Sequence, residues 1–167
     1  MRNSLTTREP RVEDAPAIAA VHARSWRAAY RGLMPDAALA ELSEASLEAM
    51  WACRLERQRP SARVAERGGA VVGWVSFRVA RRDGEILGLY VDPAAWSTGV
   101  GRELMARAQG VLREARAERV HLWVLAENRR ARRFYEALGF DLVGGERRVV
   151  ERYGTSLPEV KYRRGLE

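Results

Sequence analysis

The sequence predicts an α/β fold: a twisted, mixed and mostly antiparallel sheet of about seven strands, with helices on both faces. Three observations predict it. Apolar residues recur at helical spacing near the N-terminus, then switch to a period of two through the middle of the chain. One helical stretch, residues 101–117, joins two strand-like segments, which a crossover of that length makes parallel. The strands before that crossover are joined by tight turns, which makes them antiparallel. The 167 residues fit one domain, 1–167, with no internal repeat, low-complexity linker or boundary. A chain this long buries about two-thirds of its unfolded surface, so its core needs no disulfide or metal.

Taken in order, residues 5–9 read as a short strand, interrupted by Pro10. Residues 13–29 carry Ala17, Ile18, Val21, Trp26 and Ala29 at helical spacing, and Gly32 closes that helix. Pro35 and Asp36 open a second helix to about Leu42. Ser43 is placed to cap a third, Glu44–Arg57, before Pro60. Residues 62–66 and 70–79 form a hairpin around Gly68-Gly69. After the Asp83-Gly84 turn, residues 85–91 are a strand on which strict alternation places Glu85, Leu87, Leu89 and Val91 on one face. Residues 119–126 are a strand, 129–138 a short helix closed by Gly139, and 140–143 begin a last antiparallel section. Residues 149–151 and 157–163 pair, with Gly154 and Pro158 breaking between them.

The segment from Val91 to Arg102, VDPAAWSTGVGR, carries the first chemical signal. A strand stops, a turn with Gly99 and Gly101 follows, and an amphipathic helix begins. Unpaired N–H groups and the positive end of the helix dipole favour phosphate there. Glycine permits close backbone approach. Ser97 and Thr98 add hydroxyl donors, and Arg102 adds charge. No lysine follows as a P-loop requires, and position 104 is Leu where the dinucleotide fingerprint needs glycine.

The second signal is a strand, then Asn128, then a helix bearing Ala131, Phe134 and Tyr135 and closing on Gly139-Phe140. The two segments, in this order and spacing, resemble the GNAT superfamily of N-acetyltransferases, whose phosphate loop reads Gln/Arg-x-x-Gly-x-Gly/Ala. Gly99 and Gly101 match; Trp96 stands where Gln or Arg is usual. The specific motifs lie in 85–140. The resemblance implies a GNAT fold with acetyl-CoA as cosubstrate. The backbone of Trp96, Ser97, Thr98, Gly99, Val100, Gly101 and Arg102 would cradle the pyrophosphate. Asn128 would bond the pantetheine arm, cap its helix, or both. Leu89, Tyr90 and Val91 would offer main-chain groups to pantetheine, with the Leu89 N–H polarising the thioester carbonyl. The cluster Arg129, Arg130, Arg132 and Arg133, with Arg132 taken as its site residue, would meet the 3′-phosphate, or Arg102 or Arg107 would. Tyr135 would donate a proton to the departing thiolate, since a phenol of pKa about 10 is protonated at neutral pH.

Glu85 is the candidate general base, on the cofactor-bearing strand. Trp26 and Tyr30, four apart on the first helix, share a face and would line the acceptor pocket, stacking on a cationic amine. Glu41 and Glu44 would join Glu85 if the mouth were acidic. His22 and His121 are read as structural. Neither has a carboxylate or cysteine at metal-ligand spacing, so no metal is expected.

The net charge is +7 and the pI about 10.4. Either the surface is built for an anion, or coding bias is at work, since every basic residue but Lys161 is arginine. Zinc-finger spacing and RNP-like aromatics are missing, so no nucleic-acid partner is expected. Residues 1–8 are polar and no run of about 18 apolar residues occurs, so neither a secretory leader nor a membrane span is expected. The lone Cys53, read as packed in its helix, agrees with a cytoplasmic location. The expected acceptor is a small-molecule amine. A protein lysine or N-terminus, and a non-catalytic CoA-binding module, stand as alternatives. A homodimer paired through the C-terminal strands is left open.

Overall fold

A computed structural model describes residues 4–57 and 61–167. Pro60, the expected stop of the third helix, lies outside them. The strands are β1 (Leu5–Arg8), β2 (Ala62–Arg67), β3 (Ala70–Ala80), β4 (Asp83–Val91), β5 (Arg119–Leu125), β6 (Asp141–Arg152) and β7 (Thr155–Gly165). The helices are α1 (Ala15–Tyr30), α2 (Asp36–Ala40), α3 (Glu44–Arg57), α4 (Val100–Glu114) and α5 (Arg129–Ala137). The strands form one seven-stranded sheet in the order β1-β2-β3-β4-β5-β7-β6, antiparallel throughout except where β4 meets β5. The expected mixed sheet is therefore present. Among the described residues, no helix is long and apolar enough to cross a membrane.

Two apolar layers cover the sheet. On one side α4 buries Val100, Leu104, Met105, Ala108 and Leu112, a 3.6-residue stripe, against Val75, Phe77, Ile86, Val120 and Leu122. On the other, α1 and α3 bring Ile18, Val21, Trp51 and Leu55 onto Val64 and Trp74. Leu47, Trp51 and Leu55 take the inward face of α3. Cys53, expected to be packed, is exposed on the opposite face.

His22 sits in the second layer, stacked on Tyr90 at 4.6 Å and accepting from the Trp51 indole at 3.5 Å. Burial pushes its pKa down to about 4, with nearby Arg54 adding to the effect. A histidine held neutral in the fold and free to charge when unfolded stabilises the protein above its unfolded value near 6.5. That stability is lost as the pH falls toward 4. We expect about 2 kcal/mol less stability at pH 5 than at pH 7 from this group. Denaturant melts of wild type and His22→Gln at both pH values check it; the variant should lose much less on acidification.

Several details depart from the sequence reading. Asp83 and Gly84, read as a turn, begin β4, with the turn at residues 81–82. Asp141–Arg152 runs as one strand. Pro158, expected as a break, lies within β7 opposite Val149 and just beyond the last β5 partner, Glu159. There β5 has ended, and although the Pro158 carbonyl still accepts the Ala126 N–H at 2.9 Å, no further ladder bond calls for the missing N–H. The larger departure is in β4. Ser76 pairs with Gly88 but Phe77 with Ile86, so Leu87 is an extra residue. Gly84 and Ile86 face α4, as do Leu89 and Val91, whereas Gly88 faces Trp74. The bulge reverses the alternation, and Glu85 points to the α1 side rather than sharing a face with Leu89.

Candidate functional site

The β4–β5 ladder holds only four residue pairs, from Asp83–Arg119 to Ile86–Leu122. Beyond it the strands part, because the bulge at Leu87 sharpens the twist of β4 just where pairing ends. Main-chain groups of residues 87–91 that point toward β5 are left without a strand. The fork opens into a cleft of about 760 Å³ running from the start of α4, past Tyr135, to α1 and the β6–β7 hairpin.

At one end, the chain leaves β4 through Asp92, whose side chain accepts the Ala94 N–H at 3.0 Å and pairs with Arg24 of α1 at 2.5 Å. Gly99 has φ +89, a left-handed conformation, and caps α4. The first intrahelical bond there is from the Glu103 N–H to the Gly99 carbonyl, so the preceding amides are free for an anion. A Cβ on Gly101 would stand 3.2 Å from the Phe134 ring, so this glycine admits α5 as well as a ligand. Ser97, Gly99, Gly101 and Arg102 line the cleft. Thr98 and Val100 do not: the Thr98 hydroxyl donates to the Ala95 carbonyl at 2.7 Å and accepts from Arg67, and the Val100 side chain is in the core.

Trp96 has a defined role. Its indole N–H donates to the Val91 carbonyl at 2.8 Å, tying the loop to the end of β4. That uses its one donor and occupies one lone pair of the Val91 carbonyl. The Arg130 guanidinium lies 3.4 Å from the centroid of the same ring. A cation from α5 thus stands beside the position where Gln or Arg is usual. Arg130, Ala131, Phe134 and Tyr135 present one face of α5 to the cleft. Arg132 lies on another face. It donates to the Tyr162 hydroxyl at 3.1 Å and the Ala126 carbonyl at 2.9 Å, and Tyr162 in turn donates to Glu136 at 2.6 Å. Of the arginine cluster read from the sequence, Arg132 is thus held by the fold and Arg130 faces the cleft. The helical i,i+4 relation of Arg130 to Phe134 was the available signal. Asn128 accepts the Ala131 N–H at 3.1 Å, capping α5, and its amide nitrogen is left for a ligand.

Tyr135 stands midway along, 8% exposed, its ring edge-on to Phe134 and Phe140. Burial, and secondarily Tyr30, push its phenol well above the ordinary value. Burial raises the Tyr30 phenol to about 12, and burial likewise pushes Tyr90 up, with each phenol influencing the other.

At the far end Trp26 and Tyr30 meet edge to face at 4.6 Å and both line the wall. Glu85 reaches the wall with Arg78 bound to it, Nε to Oε2 at 2.7 Å. Its other oxygen is 3.9 Å from the Nε2 of His121, the residue opposite it on β5. Burial lowers the His121 pKa, so its imidazole is neutral at pH 7. Glu41 and Glu44 are not part of the wall, and Glu44 pairs with Arg27 at 3.4 Å. The wall also includes Trp123, Arg148, Val150, Arg152 and Glu159, none singled out in the sequence. Together these parts can hold an anion at one end, supply a phenolic proton in the middle and accept a proton beyond it.

The model of the acetyltransferase (GNAT) family matches residues 22–140. An uncharacterized N-acetyltransferase of Bacillus subtilis is 30% identical over 129 residues, covering 74% of this chain and 73% of that protein. A probable N-acetyltransferase of Mycobacterium tuberculosis is 30% identical over 155 residues, covering 90% and 87%. Among solved structures, the PaiA N-acetyltransferase of Thermoplasma acidophilum in complex with coenzyme A has a TM-score of 0.75 at 18% identity, over 95% of this chain and 98% of that one.

Proposed function

Since the chain belongs to the acetyltransferase (GNAT) family, we propose that it transfers the acetyl group of acetyl-CoA to a primary amine of a small molecule. The observation that carries this reading is the fork between β4 and β5, which leads from the free amides at the start of α4 to the buried Tyr135 phenol. The residues present fit a diphosphate-bearing thioester. The anion meets the Gly99–Gly101 turn with Arg102 and Arg130, and the amide arm meets the unpaired backbone of β4 and Asn128. The Leu89 N–H is the donor for the thioester carbonyl.

Transfer is by direct attack. The neutral amine adds to the carbonyl carbon and the C–S bond breaks. Tyr135 gives its proton to the leaving sulfur, and Glu85, with His121 behind it, takes the proton released by the nitrogen. The phenol is then restored from solvent, and the products are an amide and free thiol. No acyl-cysteine is called for, since Cys53 is on the outer face of α3. A small acceptor is favoured because the far end is walled by the Trp26 and Tyr30 rings on one side and by Arg148, Val150 and Arg152 of the hairpin on the other.

Calorimetry should detect acetyl-CoA binding, and an amine panel should release thiol; no association at millimolar concentration would overturn the proposal. In the same assay Arg130→Ala should raise the KM for acetyl-CoA about tenfold with little change in kcat, as expected for a charge lost equally from ground and transition states.

A further inference from the structure

We propose that the acceptor amine also carries an anionic group, a carboxylate as in an α-amino acid, and that Arg152 binds it; this rests on the acetyl-transfer reading above. Arg148, Val150 and Arg152 alternate along an unbulged stretch of β6, so all three point the same way, and all three line the acceptor end of the cleft. Three arginines reach that end, and two are already neutralised. Arg78 is bound to Glu85 at 2.5 Å, and Arg148 to Glu159 at 2.6 Å, with its guanidinium 4.5 Å from the Trp123 ring centroid.

Arg152 differs. Its Nη1 donates to the Glu151 carbonyl, and among the described residues no carboxylate pairs with it. The tight turn at Tyr153 and Gly154, with φ of +49 and +70, fixes where β6 ends. The contact of Tyr153 with Trp26 braces that turn against α1. Arg152 is also close enough to the Tyr30 and Tyr90 hydroxyls for its charge to work against the burial that raises them. The acceptor end therefore holds one cation in excess, opposite a Glu85 that is committed to Arg78. A substrate with two or more ammonium groups meets a surplus of like charge there. One with an amine and a carboxylate satisfies both ends, and the aromatic and aliphatic wall between them suits an apolar side chain.

The test uses the full chain, acetyl-CoA and matched acceptors: apolar α-amino acids such as methionine and phenylalanine, their carboxamides, their decarboxylated amines, and spermidine. Thiol release should show kcat/KM for the amino acids exceeding that for the carboxamides and decarboxylated amines by about 10- to 100-fold. Arg152→Gln should collapse that preference to within a few fold, mainly through KM for the amino acids, and Arg152→Lys should restore part of it. Decarboxylated amines or spermidine turning over as well as the amino acids in wild type would overturn the carboxylate assignment. So would an unchanged preference in Arg152→Gln. Absence of thiol release with every acceptor would instead sink the acetyl-transfer reading, and this inference with it.

Discussion

Replacing Tyr135 by phenylalanine should lower kcat by about 10²- to 10³-fold while the KM for acetyl-CoA stays nearly constant. The substitution removes one oxygen from a ring packed between Phe134 and Phe140, so the aromatic cluster keeps its shape. The hydroxyl acts only as sulfur acquires negative charge, which is why the loss falls on kcat. The pH profile adds a second check. Burial and the neighbouring Tyr30 raise the Tyr135 phenol, and a raised pKa preserves the acid form to higher pH. The wild type should thus show no fall in kcat with a midpoint near 10, where an ordinary tyrosine would lose its proton. Steady-state thiol release from pH 6 to 10 reads both. An unaltered rate in the variant at every pH would remove Tyr135 from the chemistry.

Glu85→Gln should lower kcat/KM for the amine by about 10²-fold at neutral pH. Glutamine still accepts a hydrogen bond from Arg78, so the wall is preserved, but it cannot take a proton. The deficit should narrow as the pH rises, because more of the amine is then already neutral in solution. That dependence separates a base from a mere partner of Arg78. If Glu85 served only to hold Arg78, Arg78→Met would cost as much, and the ratio of mutant to wild-type rates would be flat with pH. Parallel kcat/KM profiles for the two variants decide it.

Much of this architecture was legible because its signals are local. The glycine turn after β4, the amphipathic stripe of α4, the Asn128 cap and the hairpin at Gly68-Gly69 are each dictated by neighbours in the chain. They occur where the periodicity places them. What escaped depends on pairing between distant segments. The bulge at Leu87 arises from the register of β4 against β3, and no alternation within residues 85–91 reveals it; it carried Glu85 to the other side of the sheet. That Arg130 lines the cleft while Arg132 does not depends on which face of α5 meets β7, where Tyr162, thirty residues on, accepts from Arg132. Arg148 and Arg152 became part of the cleft wall because β6 runs as one long strand, where the sequence suggested two short pieces. Trp96 was visible only as a departure from a family pattern. Its bond to the Val91 carbonyl shows how the loop is anchored without the usual side chain.

The four-pair ladder between β4 and β5 has a mechanical consequence. It divides the sheet into two plates, one of four strands and one of three, joined by a short seam and by the chain crossover through α4. A thioester arm lying in the gap would complete the missing rungs as a pseudo-strand. Cohesion across the middle of the molecule would then come and go with each turnover, as the empty hinge line loosens and the loaded one stiffens.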